Sequence, residues 1–215
     1  MVMKSEGVCR ACDRTISGRG MTRHLQSCVE REKLQLRQGD GRVFLIKASA
    51  GPFWVYFEVD DSSTLRDIDS FLRDLWLECC GHMSAFTIDS VEYFSDTEYM
   101  EPGEKDMNVL VRDVLRPGIK FLHEYDFGTT TKLDLKCISE RQGMVRDKVD
   151  ILARNDMFEF LCDECGKPAK EICIECMWEG NGFLCESCAK GHKCGEDMLL
   201  PVVNSPRMGM CAYSG

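Results

Sequence analysis

Residues 43–79, VFLIKASAGPFWVYFEVDDSSTLRDIDSFLRDLWLEC, decide the fold. Residues 43–48 and 53–59 are apolar runs on either side of Ala50-Gly51-Pro52, so they read as two strands joined by a turn. Thr64 then caps a helix that has Asp67 in its first turn. Leu65, Ile68, Phe71, Leu72, Leu75, Trp76 and Cys79 recur at helical spacing until Gly81 ends the pattern. A hairpin feeding an amphipathic helix must bury one against the other.

Working outward, short strands are expected at 85–89 and 91–94. A brief helix over 107–115 places Met107, Leu110, Val111, Val114 and Leu115 on one face, and Arg116-Pro117-Gly118 stops it. Strands at 119–127 and 131–139 flank Gly128, and a last one spans 149–154. The order β-β-α-β-β-α-β-β predicts an α+β fold: a mixed or antiparallel sheet with helices packed on one face, flanked by two small zinc-stapled modules. The expected domains are residues 1–38, a zinc finger with a polar linker helix from Val29 to Gln38; 39–157, the α+β domain; and 158–215, a cysteine-rich module.

Three stretches of the central domain carry a resemblance. They are Thr64-Leu65-Arg66-Asp67, Gly81-His82-Met83-Ser84-Ala85-Phe86, and Gly118-Ile119-Lys120-Phe121-Leu122-His123-Glu124-Tyr125-Asp126-Phe127-Gly128. With them, residues 43–155 resemble the plasmid Orf-three-like family, also labelled the insertion-element passenger family. Many members continue with Asp and a nearby Trp, where this chain has Thr129-Thr130-Thr131. The resemblance implies an α+β fold and no particular activity.

The chain has 215 residues, 14 cysteines and a formal net charge of -9. Residues 1–37 hold 8 Lys+Arg against 4 Asp+Glu, so attraction to phosphate belongs to this segment. Lys4, Glu6 and Arg10 interrupt the start, no export signal follows, and no apolar run is long enough for a membrane helix. The expected location is cytoplasmic, without membrane association. In that compartment thiols stay reduced, and paired cysteines read as metal ligands.

Cys9-x2-Cys12, eleven residues, then His24-x3-Cys28 is close to zinc-finger spacing. A Cys-x2-Cys turn aims two thiolates at one ion, and donors four apart on a helix share a face. Were His24 to end a recognition helix, Arg19 and Arg23 would face phosphate, but Gly18 and Gly20 weaken such a helix by about 1 kcal/mol each. Any nucleic-acid binding through residues 1–37 is therefore expected to be weak.

Toward the other end stand Cys162-x2-Cys165, Cys173-x2-Cys176, Cys185-x2-Cys188 and His192-x-Cys194, eight donors for two tetrahedral ions. Residues 162–194 resemble a MYND-type or B-box-like cross-brace. That resemblance implies that Cys162, Cys165, Cys185 and Cys188 hold one ion, and Cys173, Cys176, His192 and Cys194 the other. Its His-x-Cys is tighter than usual, and Cys211 is a candidate to replace Cys194 or His192. With the N-terminal set, the expectation is about three zinc ions per chain.

Other signals read as structural. Asp126-Phe127-Gly128 lacks the companion motifs of a kinase, and Gly18-x-Gly20 is too short to cradle phosphate. His123 and Cys137 alternate with apolar neighbours on strands, His82 suits a helix-ending turn, and vicinal Cys79-Cys80 reads as core. No acid–base or nucleophilic constellation emerges. The expected function is a non-enzymatic zinc-binding adaptor for an unidentified protein partner. The alternative is a nucleic-acid-binding regulator, or mobile-element-associated protein, acting through the basic N-terminal finger.

Overall fold

The computed structural model describes residues 5–29, 31, 41–98 and 100–215. They divide into two compact units, one of residues 1–74 and 82–156, the other of residues 75–81 and 157–215.

The first unit is a mixed α+β layer. Its strands are β1 (Glu6–Cys9), β2 (Thr15–Ser17), β3 (Arg42–Ala50), β4 (Phe53–Asp60), β5 (Ser84–Ile88), β6 (Val91–Phe94), β7 (Lys105–Asp106), β8 (Lys120–Tyr125), β9 (Thr131–Gln142) and β10 (Val149–Asn155). They form one ten-stranded sheet ordered β2-β1-β10-β4-β3-β9-β8-β5-β6-β7. Pairing is antiparallel except between β6 and β7. The hairpin of β3 and β4 sits near the centre, which is why residues 53–59 are all buried.

Each face of that hairpin has its own cover. Helix α1 (Gly18–Ser27) sends Met21 and Leu25 into a cluster with Leu45, Trp54 and Tyr56. Register places Ile46 opposite Phe57 on the other face, where Phe71 of α2 (Leu65–Leu72) meets the Phe57 ring with centroids 4.8 Å apart. Thr64 caps α2 with a full capping box. Its hydroxyl accepts from the Asp67 N–H, and the Asp67 carboxylate accepts from the Thr64 N–H. The α-helical hydrogen bonding ends at Leu72, and a π-helical turn, Arg73–Leu77, continues the chain toward Cys79. The helix expected over 107–115 is one turn, α3 (Val111–Val114). The linker helix expected over 29–38 falls largely outside the described residues.

The separate finger expected over 1–38 is corrected: its strands belong to the large sheet. Gly7 pairs with Asn155 and Cys9 with Ala153, so β1 extends the sheet from β10. The buried cluster that includes Cys9, Cys28, Trp54 and Ala153 makes finger and sheet one body. Gly18 is needed at this junction, since a Cβ there would lie 2.6 Å from Trp54 Nε1.

A polar network lies inside the unit. The Asp69 carboxylate accepts from His123 Nε2 at 2.7 Å, Ser84 Oγ at 2.7 Å and Arg73 Nε at 2.8 Å. Burial by itself raises the Asp69 pKa, but the bond from His123 and the charges of His123 and Arg73 outweigh it and hold the carboxyl below its usual value. His123 is thus a packed, hydrogen-bonded residue. Asp126, in left-handed conformation with φ 62°, folds its carboxylate onto the Gly128 N–H at 3.0 Å, so Asp126-Phe127-Gly128 is the turn between β8 and β9.

The second unit is built on short elements: β11 (Glu171–Cys173), β12 (Phe183–Leu184) and β13 (Leu199–Pro201) in a three-stranded sheet, with one-turn helix α4 (Glu186–Ala189). Its buried cluster is Cys162, Cys173, Cys176, Leu184, Cys185 and Ala189. Among the described residues no helix is long and apolar enough to cross a membrane.

Candidate metal centres

The backbone gathers Cys and His side chains into four sets whose donor atoms all lie within 4.8 Å of one another. They are Cys9, Cys12, His24 and Cys28; Cys162, Cys165, Cys185 and Cys188; Cys173, Cys176, His192 and Cys194; and Cys79, Cys80, His82 and Cys211. The expected count of about three ions therefore corrects to four possible sites. The twelve donors read from spacing fill the first three sets. Cys211 replaces neither Cys194 nor His192 and belongs to the fourth.

Local structure explains the first set. In the turn after β1, the Cys12 and Asp13 N–H groups donate to the Cys9 carbonyl at 3.3 and 2.8 Å, which directs both thiols to one side. Ser17 caps α1 by accepting from the Gly20 N–H at 3.3 Å, and the helix delivers His24 one turn before Cys28. Burial, then the charge of Arg14, lowers the His24 pKa and keeps the imidazole in the neutral form that a metal takes. A bond from Arg14 lowers the Cys12 thiol in turn.

In the second unit the ligand pairs alternate along the chain. The Gly166 N–H donates to the Cys162 carbonyl at 2.8 Å, with Gly166 at φ 71°, closing the turn that carries Cys162 and Cys165. Cys173 ends β11, and the Cys176 N–H points at its sulfur at 3.5 Å. Cys185 caps α4, which places Cys188 on its first turn. Glu164 Oε1 lies 3.9 Å from His192 Nδ1, leaving Nε2 facing Cys176.

Distances test whether a metal fits. Tetrahedral zinc, with Zn–S near 2.3 Å and Zn–N near 2.0 Å, sets sulfurs about 3.8 Å apart and sulfur from nitrogen about 3.5 Å. The structure has Cys165 Sγ to Cys185 Sγ at 3.5 Å and Cys176 Sγ to Cys194 Sγ at 3.7 Å. Cys12 Sγ to His24 Nε2 and Cys176 Sγ to His192 Nε2 are each 3.4 Å. A disulfide would need about 2.05 Å. None of the cysteines forms a disulfide.

Electrostatics points the same way. The Ser187 hydroxyl and the Cys188 N–H pull the Cys185 thiol down to about 6. Cys173 is drawn down to about 7, where the Cys176 and Glu175 amides outweigh its burial. The Cys176 thiol is pushed up to about 12 by burial and by its Cys194 and Cys173 neighbours. The three sets with buried cysteines so hold thiols that ionise readily beside thiols that resist, because like charges repel at this range. A divalent cation at the centre removes the repulsion and stabilises every thiolate together.

The fourth set corrects the reading of Cys79-Cys80 as core. Cys80 is exposed and Cys79 half-buried, with their sulfurs 3.8 Å apart and Cys211 Sγ 3.5 Å from Cys80 Sγ. Cys137, by contrast, is buried on β9, its thiol pushed up to about 12 by burial, and joins no set.

No family model and no curated protein matches the chain. Among solved structures it is similar to the crystal structure of a protein of unknown function, MM3350 from Methanosarcina mazei Go1, at 13% identity and a TM-score of 0.42, covering 56% of this chain and 71% of that one. These comparisons give no support to the resemblance to the plasmid Orf-three-like family, and what the chain displays by its own geometry is an α+β protein with four Cys/His sets able to hold metal ions.

Proposed function

We propose that the chain is a non-enzymatic adaptor, stapled by structural zinc, whose second unit docks a protein partner. Each set supplies four side-chain donors, which leaves a tetrahedral ion no open position for substrate or water. Thiolate-rich donor sets with imidazole favour zinc over harder cations. The observation that carries the docking role is Trp178, 66% exposed on the turn Cys176–Glu179 that begins with a donor cysteine. A tryptophan exposed to water is a strong anchor for a protein interface. Residues 159–215 hold more Asp and Glu than Lys and Arg, which favours a basic or apolar partner surface over nucleic acid.

A second reading, a nucleic-acid-binding regulator, is favoured by Arg19 and Arg23, both exposed on α1. One experiment separates the two. Zinc-loaded full chain and its Trp178→Ala variant are used as bait, each with and without nuclease. The adaptor reading expects specific partners that survive nuclease and fall at least tenfold with the variant. Partners lost to nuclease and indifferent to Trp178 would replace it with the regulator.

A further inference from the structure

The four sets differ in depth. Cys9 and Cys28, Cys162 and Cys185, and Cys173 and Cys176 give the first three sets buried thiols. The fourth has no buried donor, since Cys80 and Cys211 are exposed while Cys79 and His82 are half-buried. Its sulfur separations of 3.8 and 3.5 Å nonetheless match those of the buried sets.

The second unit is shaped to bring these thiols together. Ser205 Oγ donates to the Trp76 carbonyl at 2.6 Å and accepts from the Arg207 N–H at 2.8 Å, which fixes the start of the tail on the 75–81 segment. Arg207 is buried, and its Nη2 donates to Cys79 Sγ at 3.6 Å. Cys211 and Ala212 both take left-handed backbone conformations, φ 48° and 57°, which non-glycine residues adopt at a cost. That turn carries the Cys211 sulfur to Cys80. Three thiolates around a divalent ion leave a net charge of about -1, and the Arg207 guanidinium beside Cys79 offsets it.

We propose that Cys79, Cys80 and Cys211, all of the second unit, form a fourth zinc site of a different kind. It faces solvent, exchanges its metal readily, and clasps residues 205–213 onto the 75–81 segment while zinc is bound. Solvent reaches its donors directly, so a competing ligand can displace them one at a time without opening a core. Each of the other sets keeps two buried cysteines, which must be uncovered before its ion can leave.

The test uses full-length protein purified without added metal. Elemental analysis should find about four zinc ions per chain, from four donor sets. Release to a chromogenic chelator should be biphasic, with one equivalent leaving at least tenfold faster than the rest. Cys80→Ala and Cys211→Ala should each hold about three ions and lack the fast phase. In wild-type protein, with no substitution to disturb folding, Cys79, Cys80 and Cys211 should resist alkylation when zinc-loaded and be the first thiols labelled on chelation. Three ions in wild type, release in one phase, four ions in either variant, or free alkylation of Cys80 and Cys211 in loaded protein would each overturn the proposal. Partner capture plays no part in these readouts, so this site and the adaptor reading fail separately.

Discussion

Phe44, Ile46, Phe57, Leu72 and Tyr125 are buried in the first unit; in the second, Trp76, Leu77 and Ile172 are buried too, but one buried cluster there consists of four cysteines, Leu184 and Ala189. In the first, apolar side chains exclude water by themselves. In the second, four members of that cluster are metal donors, so this part of the core is complete only around an ion. Chain length explains the contrast, because a segment as short as 157–215 encloses too little apolar surface to fold on it alone. The two units of one chain should therefore respond differently to the same insult.

The largest effect expected is from metal removal. A strong chelator should unfold the second unit, because structural zinc contributes about 10–16 kcal/mol in small modules. The ten-stranded sheet should persist, weakened near β1 and α1, whose cluster includes Cys9 and Cys28. Limited proteolysis with mass spectrometry reads this directly: cuts should concentrate after residue 157 and within 75–81, while the rest of 42–155 stays protected. Loss of both units at the same chelator concentration would break the comparison.

A smaller effect probes the first unit alone. Asp69→Asn removes the charge that His123 and Arg73 surround, and should destabilise the sheet unit by about 3–5 kcal/mol at neutral pH. The folded pKa of Asp69 is depressed, so its contribution is full above the unfolded value near 3.9 and is lost as pH falls through the folded value. Wild-type sheet stability should thus drop below about pH 4, and the variant should show a shallower acid limb. Denaturant melts of zinc-loaded protein between pH 3 and 7 check both statements. A variant with an unchanged acid limb would assign that limb elsewhere.

The smallest effect sharpens the boundary of the comparison. Gly18→Ala should cost about 1–3 kcal/mol, because its methyl meets the Trp54 indole rather than solvent. Read by propensity, the same change should stabilise α1 by about 1 kcal/mol. Thermal melts give the sign, and a gain would mean that the finger tolerates displacement from the sheet.

Much of this was legible in residues 43–79. The paired apolar runs became β3 and β4, and the Thr64 cap with Asp67 became a full capping box. Helical periodicity past Leu72 could not distinguish an α-helix from a π-helical turn, since both bury Trp76 and Leu77. The attachment of the finger was hidden because β1 and β2 are too short to show alternation and β1 finds its partner at Asn155. Gly18 looked like a helix breaker because its true neighbour, Trp54, comes from a distant strand. Spacing rules named twelve donors, each close in sequence to another. The fourth set escaped them since Cys80 and Cys211 lie 131 residues apart, and only folding makes them neighbours.

The pairing of β1 with β10 has a consequence during synthesis. Gly7 leaves the ribosome well before Asn155, which follows only after every other strand of the sheet has emerged. Through that interval the β1 edge has no partner, and an open edge invites pairing with other chains. Cys9, Cys12, His24 and Cys28, however, are complete once residue 28 is out. Zinc taken up by the nascent chain would shape the β1–β2 hairpin and α1 early, giving the late β10 a finished template rather than a loose end.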